Sequence, residues 1–168
     1  MTYIKIQKNP AFMTEIKQIP KAKQNTTAFK PCVVYFVDTN YFLSYFLDRN
    51  SDQQLIVNKL FKQALQDKVC LYSSSLVFFE VYWTAKSFYQ IPHQTLKTMM
   101  TQLLHLNFIT IDNKGLLLES LNLFTNSSIS LEDCYHLVCA KSYQVNSIAT
   151  FDKKLKSSFK KLSTLQTL

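Results

Sequence analysis

The sequence has very little glycine. Gly115 is the only glycine among the 168 residues. The phosphate-binding turns of P-loop and dinucleotide-binding proteins need several glycines close together, because the backbone there must approach phosphates without an intervening Cβ atom. The composition therefore excludes both kinds of nucleotide-binding turn.

Cysteine is sparse as well, and its spacing does not indicate a metal site. The four cysteines are Cys32, Cys70, Cys134 and Cys139, and no two of them form a CxxC pair. They lie within or beside apolar runs, where a reduced and buried thiol behaves as a small hydrophobic group. The pattern predicts a reducing environment, with neither a disulfide nor a zinc site.

Long apolar runs are absent too. No run approaches the roughly 20 apolar residues that a membrane-spanning helix needs. The beginning of the chain contains lysines and lacks the apolar segment of a signal peptide. These features predict a cytoplasmic protein with no membrane partner.

The net charge of +8 is concentrated at the two ends of the sequence. Residues 1–30 carry six lysines against Glu15, and residues 153–168 carry five lysines and no acid, whereas residues 31–152 have ten acidic and eight basic groups. A basic segment gains affinity for a nucleic acid by releasing condensed counterions. The charge distribution therefore favours a nucleic-acid partner, although lysines that serve solubility alone would produce the same count.

The chain divides into an extension and a single domain. Residues 1–30 contain Pro10 and Pro20 and show little apolar periodicity, which predicts a flexible basic extension. After Pro31 the sequence alternates between short apolar runs and helical patterns. Residues 31–168 are therefore predicted to form one domain.

The alternation in this domain is typical of an α/β fold with a mostly parallel central sheet. The predicted strands cover residues 33–37, 69–72, 108–111 and 147–150. The predicted helices cover residues 40–48, 52–66, 92–106, 114–124, 131–143 and 152–159, and a further helix, which Ser73, Ser74 or Ser75 could cap, runs to about Tyr89. The first strand is a continuous apolar run, which predicts burial on both faces. The helix over 52–66 shows an apolar stripe of Leu55, Ile56, Leu60 and Ala64.

Four acidic residues stand out by their positions. Asp38 follows the first predicted strand and Asp152 follows the fourth, Glu80 lies in a strongly apolar helix, and Asp133 begins a later helix. Ligands of α/β sheets bind beyond the carboxyl ends of the strands. Carboxylates gathered there would repel one another unless a divalent cation neutralised them, and hard oxygen ligands suit Mg²⁺ or Mn²⁺.

Each of these acids also has a structural explanation. Asp38 and Asp152 could cap the helices that follow them. Asp133 could interact with the positive end of its helix, and Glu80 could form an ion pair with Lys86. The remaining acids, Asp112 and Glu132 among them, are interpreted as surface charges.

The sequence around the four acids resembles the PIN-domain nucleases, particularly the VapC-like ribonuclease toxins of bacterial toxin–antitoxin modules. The resemblance rests on four blocks in order, which are VDTN around Asp38, SSLVFFEVYW around Glu80, LEDCYHLVCAK around Asp133 and IATFDK around Asp152. Successive acids are 42, 53 and 19 positions apart.

The resemblance implies a three-layer α/β/α fold with a central, mostly parallel sheet of four to five strands. It implies metal-dependent hydrolysis of RNA, with Asp38, Glu80, Asp133 and Asp152 holding one or two Mg²⁺ or Mn²⁺ ions and with Asn40 and Thr150 supporting them. It also implies a cognate antitoxin and a possible homodimer as partners. We assign RNA contacts to three lysines of the basic C-terminal segment, Lys153, Lys154 and Lys156.

Two other functions remain open at this stage. A non-catalytic PIN-like module could bind RNA or act as a scaffold, although it would not need all four acids. A phosphoryl-transfer or phosphoreceiver protein could use Asp38 as a phosphate acceptor, but Asn40 occupies the position where one such pattern needs a second aspartate. Tyr82, Trp83 and Phe88 either stack on bases or pack in the core, and their helical spacing favours the core.

Overall fold

The structure is a computed structural model that describes residues 32–164, with side chains up to Leu162. The predicted basic extension, residues 1–30, lies outside the described residues. The chain divides into two compact units, of which the first ends at Tyr72 and the second begins at Ser73. Among the described residues, no helix is both long and apolar enough to cross a membrane.

The described elements alternate between strands and helices, which confirms the α/β fold class. In chain order they are β1 (Val33–Phe36), α1 (Thr39–Phe46), α2 (Ser51–Leu65), β2 (Val69–Ser73), α3 (Ser75–Trp83), a π-helix (Thr84–Phe88), α4 (His93–Leu104), β3 (Ile109–Ile111), α5 (Lys114–Thr125), α6 (Leu131–Ser142) and α7 (Lys153–Thr164).

In the first unit, β1 and β2 pair in parallel, with Val33 opposite Val69 and Phe36 opposite Tyr72. A disulfide joins Cys32, the residue directly before β1, to Cys70 in β2, with their Cα atoms 5.9 Å apart. The prediction of four reduced cysteines was therefore wrong. The parallel register brings two cysteines together that lie 38 positions apart in the sequence, and local sequence patterns do not contain that information.

The predicted burial of β1 on both faces was also wrong. All four of its side chains are exposed, and Val34 retains 65% of its accessible surface. β1 lies at an edge of the sheet. An apolar run indicates extended backbone, but whether other layers cover the strand depends on elements far away in the sequence.

The core of the first unit forms between α1 and α2. Phe42 and Phe61 are almost completely buried, and their ring centroids lie 6.4 Å apart. The buried face of α2 consists of Gln54, Val57, Phe61 and Ala64, whereas Leu55 and Ile56 are exposed. The predicted stripe was therefore correct at Ala64 and wrong at Leu55 and Ile56.

The second unit contains β3 and the helices from α3 onward. Part of its core is built from Leu137, Leu155 and Phe159, against which several partly buried side chains pack, including Ile148. The predicted strand at residues 147–150 is irregular backbone, so three strands are described in residues 32–164 rather than four to five. Ile148 instead packs against the helical side chains of this cluster.

Candidate functional site

Asp38 lies just beyond β1 and caps α1. Its Oδ1 atom accepts a hydrogen bond from the backbone N–H of Tyr41 at 3.1 Å, and the residue is exposed. Asn40, the second residue of α1, is also exposed. The structure thus places Asp38 beyond the carboxyl end of the first strand, as predicted, and shows that it accepts from one of the free N–H groups of the helix start.

Glu80 lies on α3 and is half-buried. The side chains around it along the helix are strongly buried, with Phe78, Val81 and Tyr82 each 1% exposed or less. A carboxylate in such surroundings is costly unless it meets donors or a cation.

The helix that carries Glu80 is fixed at its beginning by Asp112. The backbone N–H of Ser75 donates to Asp112 Oδ1, and Ser75 Oγ donates to Asp112 Oδ2 at 3.2 Å. Ser74 adds the N-cap by accepting from the N–H of Val77 at 3.3 Å. Asp112, which directly follows β3, is therefore a helix-capping residue and not the surface charge that was predicted.

The same helix is tied to α6 at its end. Trp83 Nε1 donates a hydrogen bond of 2.6 Å to Glu132 Oε1. The ring of Phe79, one turn earlier on α3, lies edge-to-face on that of Tyr135 from α6, with the centroids 5.1 Å apart. Glu132, predicted as a surface charge, instead links the two helices.

The environment of Glu132 favours its ionised form. Burial raises the pKa of this carboxyl, but hydrogen bonding, including the bond from Trp83, and the positive charge of Lys86 outweigh burial and hold the pKa below its usual range. Lys86 also lies over the Tyr82 ring, 5.2 Å from its centroid. Burial and the Glu132 charge in turn raise the pKa of Tyr82.

Asp133 begins α6 in a reciprocal arrangement with Ser130. Ser130 Oγ accepts from the backbone N–H of Asp133 at 3.1 Å and donates to Asp133 Oδ2 at 2.9 Å. The carboxylate is half-buried and has a defined orientation. Neighbouring His136, one turn further, is exposed.

Asp152 caps α7, the basic helix. Its Oδ1 atom accepts from the backbone N–H groups of Lys154 at 2.7 Å and of Leu155 at 3.0 Å. Thr150 Oγ1 accepts from the N–H of Asp152 at 3.0 Å. Thr150 therefore fixes the backbone of Asp152 at the start of α7.

The chemistry of these acids suits a hard divalent cation, since Mg²⁺ and Mn²⁺ prefer carboxylate oxygens. Within residues 32–162, however, no group of three or more histidine, cysteine, aspartate or glutamate side chains is placed to hold a metal ion. A carboxylate has about four lone-pair positions, so a helix cap that uses one or two of them is compatible with metal binding. The donor types therefore fit a metal, whereas their present placement does not form a complete site.

The basic helix α7 separates its charge from its apolar side chains. Leu155 and Phe159 are buried, whereas Lys153, Lys154 and Lys156 are exposed. Lys154 Nζ donates to the carbonyl oxygen of Ser128 at 2.7 Å. The helix thus anchors itself in the second unit through one face and presents positive charge on the other.

The aromatic side chains near Glu80 differ from the prediction. Tyr82 is buried, in agreement with core packing, but Trp83 is 43% exposed and Phe88 is 76% exposed. Both exposed rings lie at or within the π-helix, where a widened turn replaces the regular helical spacing. Core packing was therefore the wrong expectation for Trp83 and Phe88.

A comparison with protein-family models matches residues 35–160 to the PIN domain. Because the match covers well over half of the chain and includes all four predicted acids, the chain belongs to the PIN domain family. PIN domains have a three-layer α/β/α fold and are generally metal-dependent nucleases, so the fold is of a nuclease type. A comparison with curated proteins found no match.

Proposed function

We propose that this chain is a metal-dependent endoribonuclease that uses Mg²⁺ or Mn²⁺. The observation that carries the proposal is the family match, because it spans the four blocks with Asp38, Glu80, Asp133 and Asp152 in order. A divalent ion held by these carboxylates would activate water and stabilise negative charge on the attacked phosphate. Hydrolysis would then need no serine or cysteine nucleophile.

Residues of the chain orient two of the four acids and supply positive charge for RNA binding. Ser130 orients the Asp133 carboxylate, and Thr150 fixes the backbone of Asp152. Lys153, Lys154 and Lys156 provide exposed positive charge next to Asp152, where an RNA backbone would bind. Lysine contacts phosphate as a point charge, so these contacts would favour RNA in general rather than a particular base.

The decisive experiment is cleavage of a panel of single-stranded and structured RNAs by purified protein with Mg²⁺, with Mn²⁺ and with EDTA. We expect cleavage with either metal, none with EDTA, and products with 5′-phosphate and 3′-hydroxyl ends. Asp38→Asn should abolish cleavage while the protein stays folded. Asp48→Asn removes the same charge from an exposed position two residues beyond α1 and should cleave like the wild type.

Products with cyclic phosphate ends, or full activity in EDTA, would contradict this mechanism. A single 2′-deoxy substitution at the scissile position separates the two chemistries further, because a water nucleophile does not need the 2′-hydroxyl. We therefore expect the substituted RNA to be cut, if more slowly.

We propose further that the protein is the toxin of a toxin–antitoxin pair in the cytoplasm and forms a homodimer. The proposal is supported by the resemblance of the four acidic blocks to VapC-like toxins. Induced expression should arrest growth of a bacterial host, Asp38→Asn should not, and co-expression of a small protein encoded beside this gene should restore growth. Growth arrest by Asp38→Asn would contradict a toxic ribonuclease activity.

The second candidate is a non-catalytic RNA-binding module with the same fold. It is favoured by one observation, the absence of a three-residue metal-binding group within residues 32–162. RNA binding that is indifferent to Mg²⁺ and to Asp38→Asn, without any cleavage, would support this candidate.

A further inference from the structure

Two large aromatic side chains of the second unit are exposed where α3 ends. Trp83, the last residue of α3, keeps 43% of its accessible surface, and Phe88, the last residue of the π-helix, keeps 76%. The other exposed residues of the stretch 83–90 are polar or charged, and they are Lys86, Ser87 and Gln90. Within this stretch the two rings are therefore exposed apolar groups in polar surroundings, not part of a continuous apolar run.

The Trp83 ring is held in one orientation. Its Nε1 atom donates to Glu132 Oε1 at 2.6 Å, and its centroid lies 5.8 Å from that of the buried Phe79 ring, with an angle of 31° between the two planes. The bond to Glu132 uses the only polar hydrogen of the indole. The surface that stays accessible therefore belongs to a fixed aromatic ring, on which a planar group can stack without a further loss of side-chain freedom.

The π-helix turns Phe88 toward the side of the chain that carries Trp83. In an α-helix, with about 3.6 residues per turn, side chains five positions apart point about 140° away from each other. The π-helix Thr84–Phe88 has a wider turn, in which the N–H of Tyr89 donates to the carbonyl oxygen of Thr84 at 3.1 Å. Such bonds join residues five positions apart, so these residues overlie one another along the helix. The two exposed rings are also five positions apart and therefore share one side.

Lys86 adds positive charge between the two rings in the sequence. Its side chain is exposed, and its Nζ atom lies 5.2 Å from the centroid of the buried Tyr82 ring. A single-stranded nucleic acid offers both base faces and phosphates, so aromatic rings with a cation between them match its chemistry. A stable protein interface instead buries about 800 Å² on each partner, from roughly 20–30 residues, which is far more than two rings. The charge and the small size of this surface favour a nucleic acid over a protein.

We propose that Trp83 and Phe88 stack on bases of single-stranded RNA while Lys86 contacts its phosphate backbone. The inference rests on the proposed function, since it names how the substrate of that reaction is bound. Glu80 precedes Trp83 by three positions on α3, so the stacked base lies about one helical turn from a predicted catalytic carboxylate. Bases in a duplex are stacked on one another, whereas those of a single strand are free to stack on protein rings. The protein should therefore bind single-stranded RNA more tightly than a duplex.

The experiment measures the Kd for a short, unstructured, fluorescently labelled RNA in EDTA, where a metal-dependent nuclease leaves the RNA intact. Phe88→Ala removes a ring from an exposed position and should raise the Kd about tenfold, as expected for the loss of one stacked base. Trp83→Leu should have an effect of similar size. Phe88→Tyr and Trp83→Phe keep a ring and should bind within about threefold of the wild type, although Trp83→Phe loses the bond to Glu132.

The single tryptophan provides a second measurement that does not depend on cleavage. A base stacked on the indole quenches its fluorescence, so the emission of Trp83 should fall to a plateau as single-stranded RNA is added. The corresponding duplex should leave the emission nearly constant. Lys86→Gln should keep the quenching and lower the slope of log K against log salt by about 0.7, because one phosphate contact is lost.

Tyr143→Ala is the matched control. Tyr143 is another aromatic residue of the second unit, is 80% exposed and lies at the end of α6. Its replacement removes an exposed ring outside the stretch 83–90, so the Kd for RNA should not change. A loss of affinity equal to that in Phe88→Ala would show that exposed rings bind RNA wherever they lie, and it would overturn the assignment to Trp83 and Phe88.

The outcomes separate this inference from the proposed function. If the wild type cleaves RNA with Mg²⁺ and the loss of either ring leaves the Kd unchanged, the stacking role is wrong, the nuclease proposal stands, and the rings are assigned to a protein partner. If the wild type binds single-stranded RNA through both rings and cleaves none, the stacking role stands and the nuclease proposal fails. If the wild type binds no RNA, both fail.

Discussion

Ser130 and Asp133 satisfy each other's hydrogen bonds at the start of α6. The serine hydroxyl accepts from the aspartate N–H at 3.1 Å and donates to the aspartate carboxylate at 2.9 Å. One serine therefore caps the helix and orients a predicted metal-binding carboxylate at the same time.

Ser130→Ala should lower the free energy of unfolding by about 1 kcal/mol, because it removes the N-cap of α6. Urea denaturation measures this change. Ser128→Ala is the control, since Ser128 is an exposed serine two residues earlier, and it should shift stability by less than about 0.5 kcal/mol. Equal stability of Ser130→Ala and the wild type would show that the cap contributes nothing.

Reduction of the Cys32–Cys70 disulfide should destabilise the first unit. The bond closes a loop of 38 positions, and loops of this length correspond to about 2–4 kcal/mol of stabilisation. Cys70→Ser should lose that amount in denaturation, whereas Cys139→Ser, which replaces a free cysteine, should lose little.

Thiol counting by mass spectrometry tests the same disulfide directly. Alkylation of the unfolded but unreduced protein should modify two of the four cysteines. Modification of all four would show that the cysteines are reduced, as the sequence pattern predicted.

The burial of Tyr45 should make the free energy of unfolding decrease at alkaline pH. Burial raises the pKa of Tyr45 to about 12 from its ordinary value of 10.0, so the folded state favours the neutral phenol. This contribution is complete below pH 10 and is lost as the pH rises from 10 toward 12. Denaturation series at pH 8 to 12 should show a smaller alkaline loss in Tyr45→Phe than in the wild type.

Glu132 should have the opposite pH dependence. Because the folded state lowers its pKa below the ordinary value of 4.5, its ionised form stabilises the fold above that pH. The contribution is lost as the pH falls below 4.5 and through the lowered pKa. The stability difference between the wild type and Glu132→Gln should therefore shrink in acid, and a difference that does not vary with pH would contradict the lowered pKa.

The exposed lysines of α7 should contribute to RNA affinity through counterion release. Replacing Lys153 and Lys156 with alanine should lower the slope of log K against log salt by about 0.7 for each lysine that contacts phosphate. Lys59→Ala with Lys68→Ala removes the same charge from the first unit and should leave the slope unchanged. An unchanged slope in the α7 variant would exclude these lysines from the RNA interface.

The sequence by itself determined two kinds of feature. One kind is local structure, and the other is the order in which segments and motifs follow one another along the chain. The alternation of strands and helices is confirmed, and so is the family expected from the four acidic blocks. The caps at Asp38 and Asp152 belong here too, because each bond joins atoms within three positions of each other. Composition and spacing contain this information because chain connectivity alone brings such atoms together.

Other features were decided by contacts between distant parts of the chain. The Cys32–Cys70 disulfide spans 38 positions, the Ser75–Asp112 contact spans 37, and the Trp83–Glu132 bond spans 49. The residue types at these positions do not identify their partners. For this reason sequence patterns described the cysteines as free and Asp112 and Glu132 as surface charges.

The tertiary structure likewise determined which side chains are buried. The apolar run of β1 is exposed, and the buried stripe of α2 passes through Val57 and Phe61 rather than Leu55 and Ile56. α2 contains more apolar residues than one face can bury, so the packing of Phe61 against Phe42 selects which stripe turns inward. The sequence determined which segments are helices and strands, and the packing partners determined which of their faces are covered.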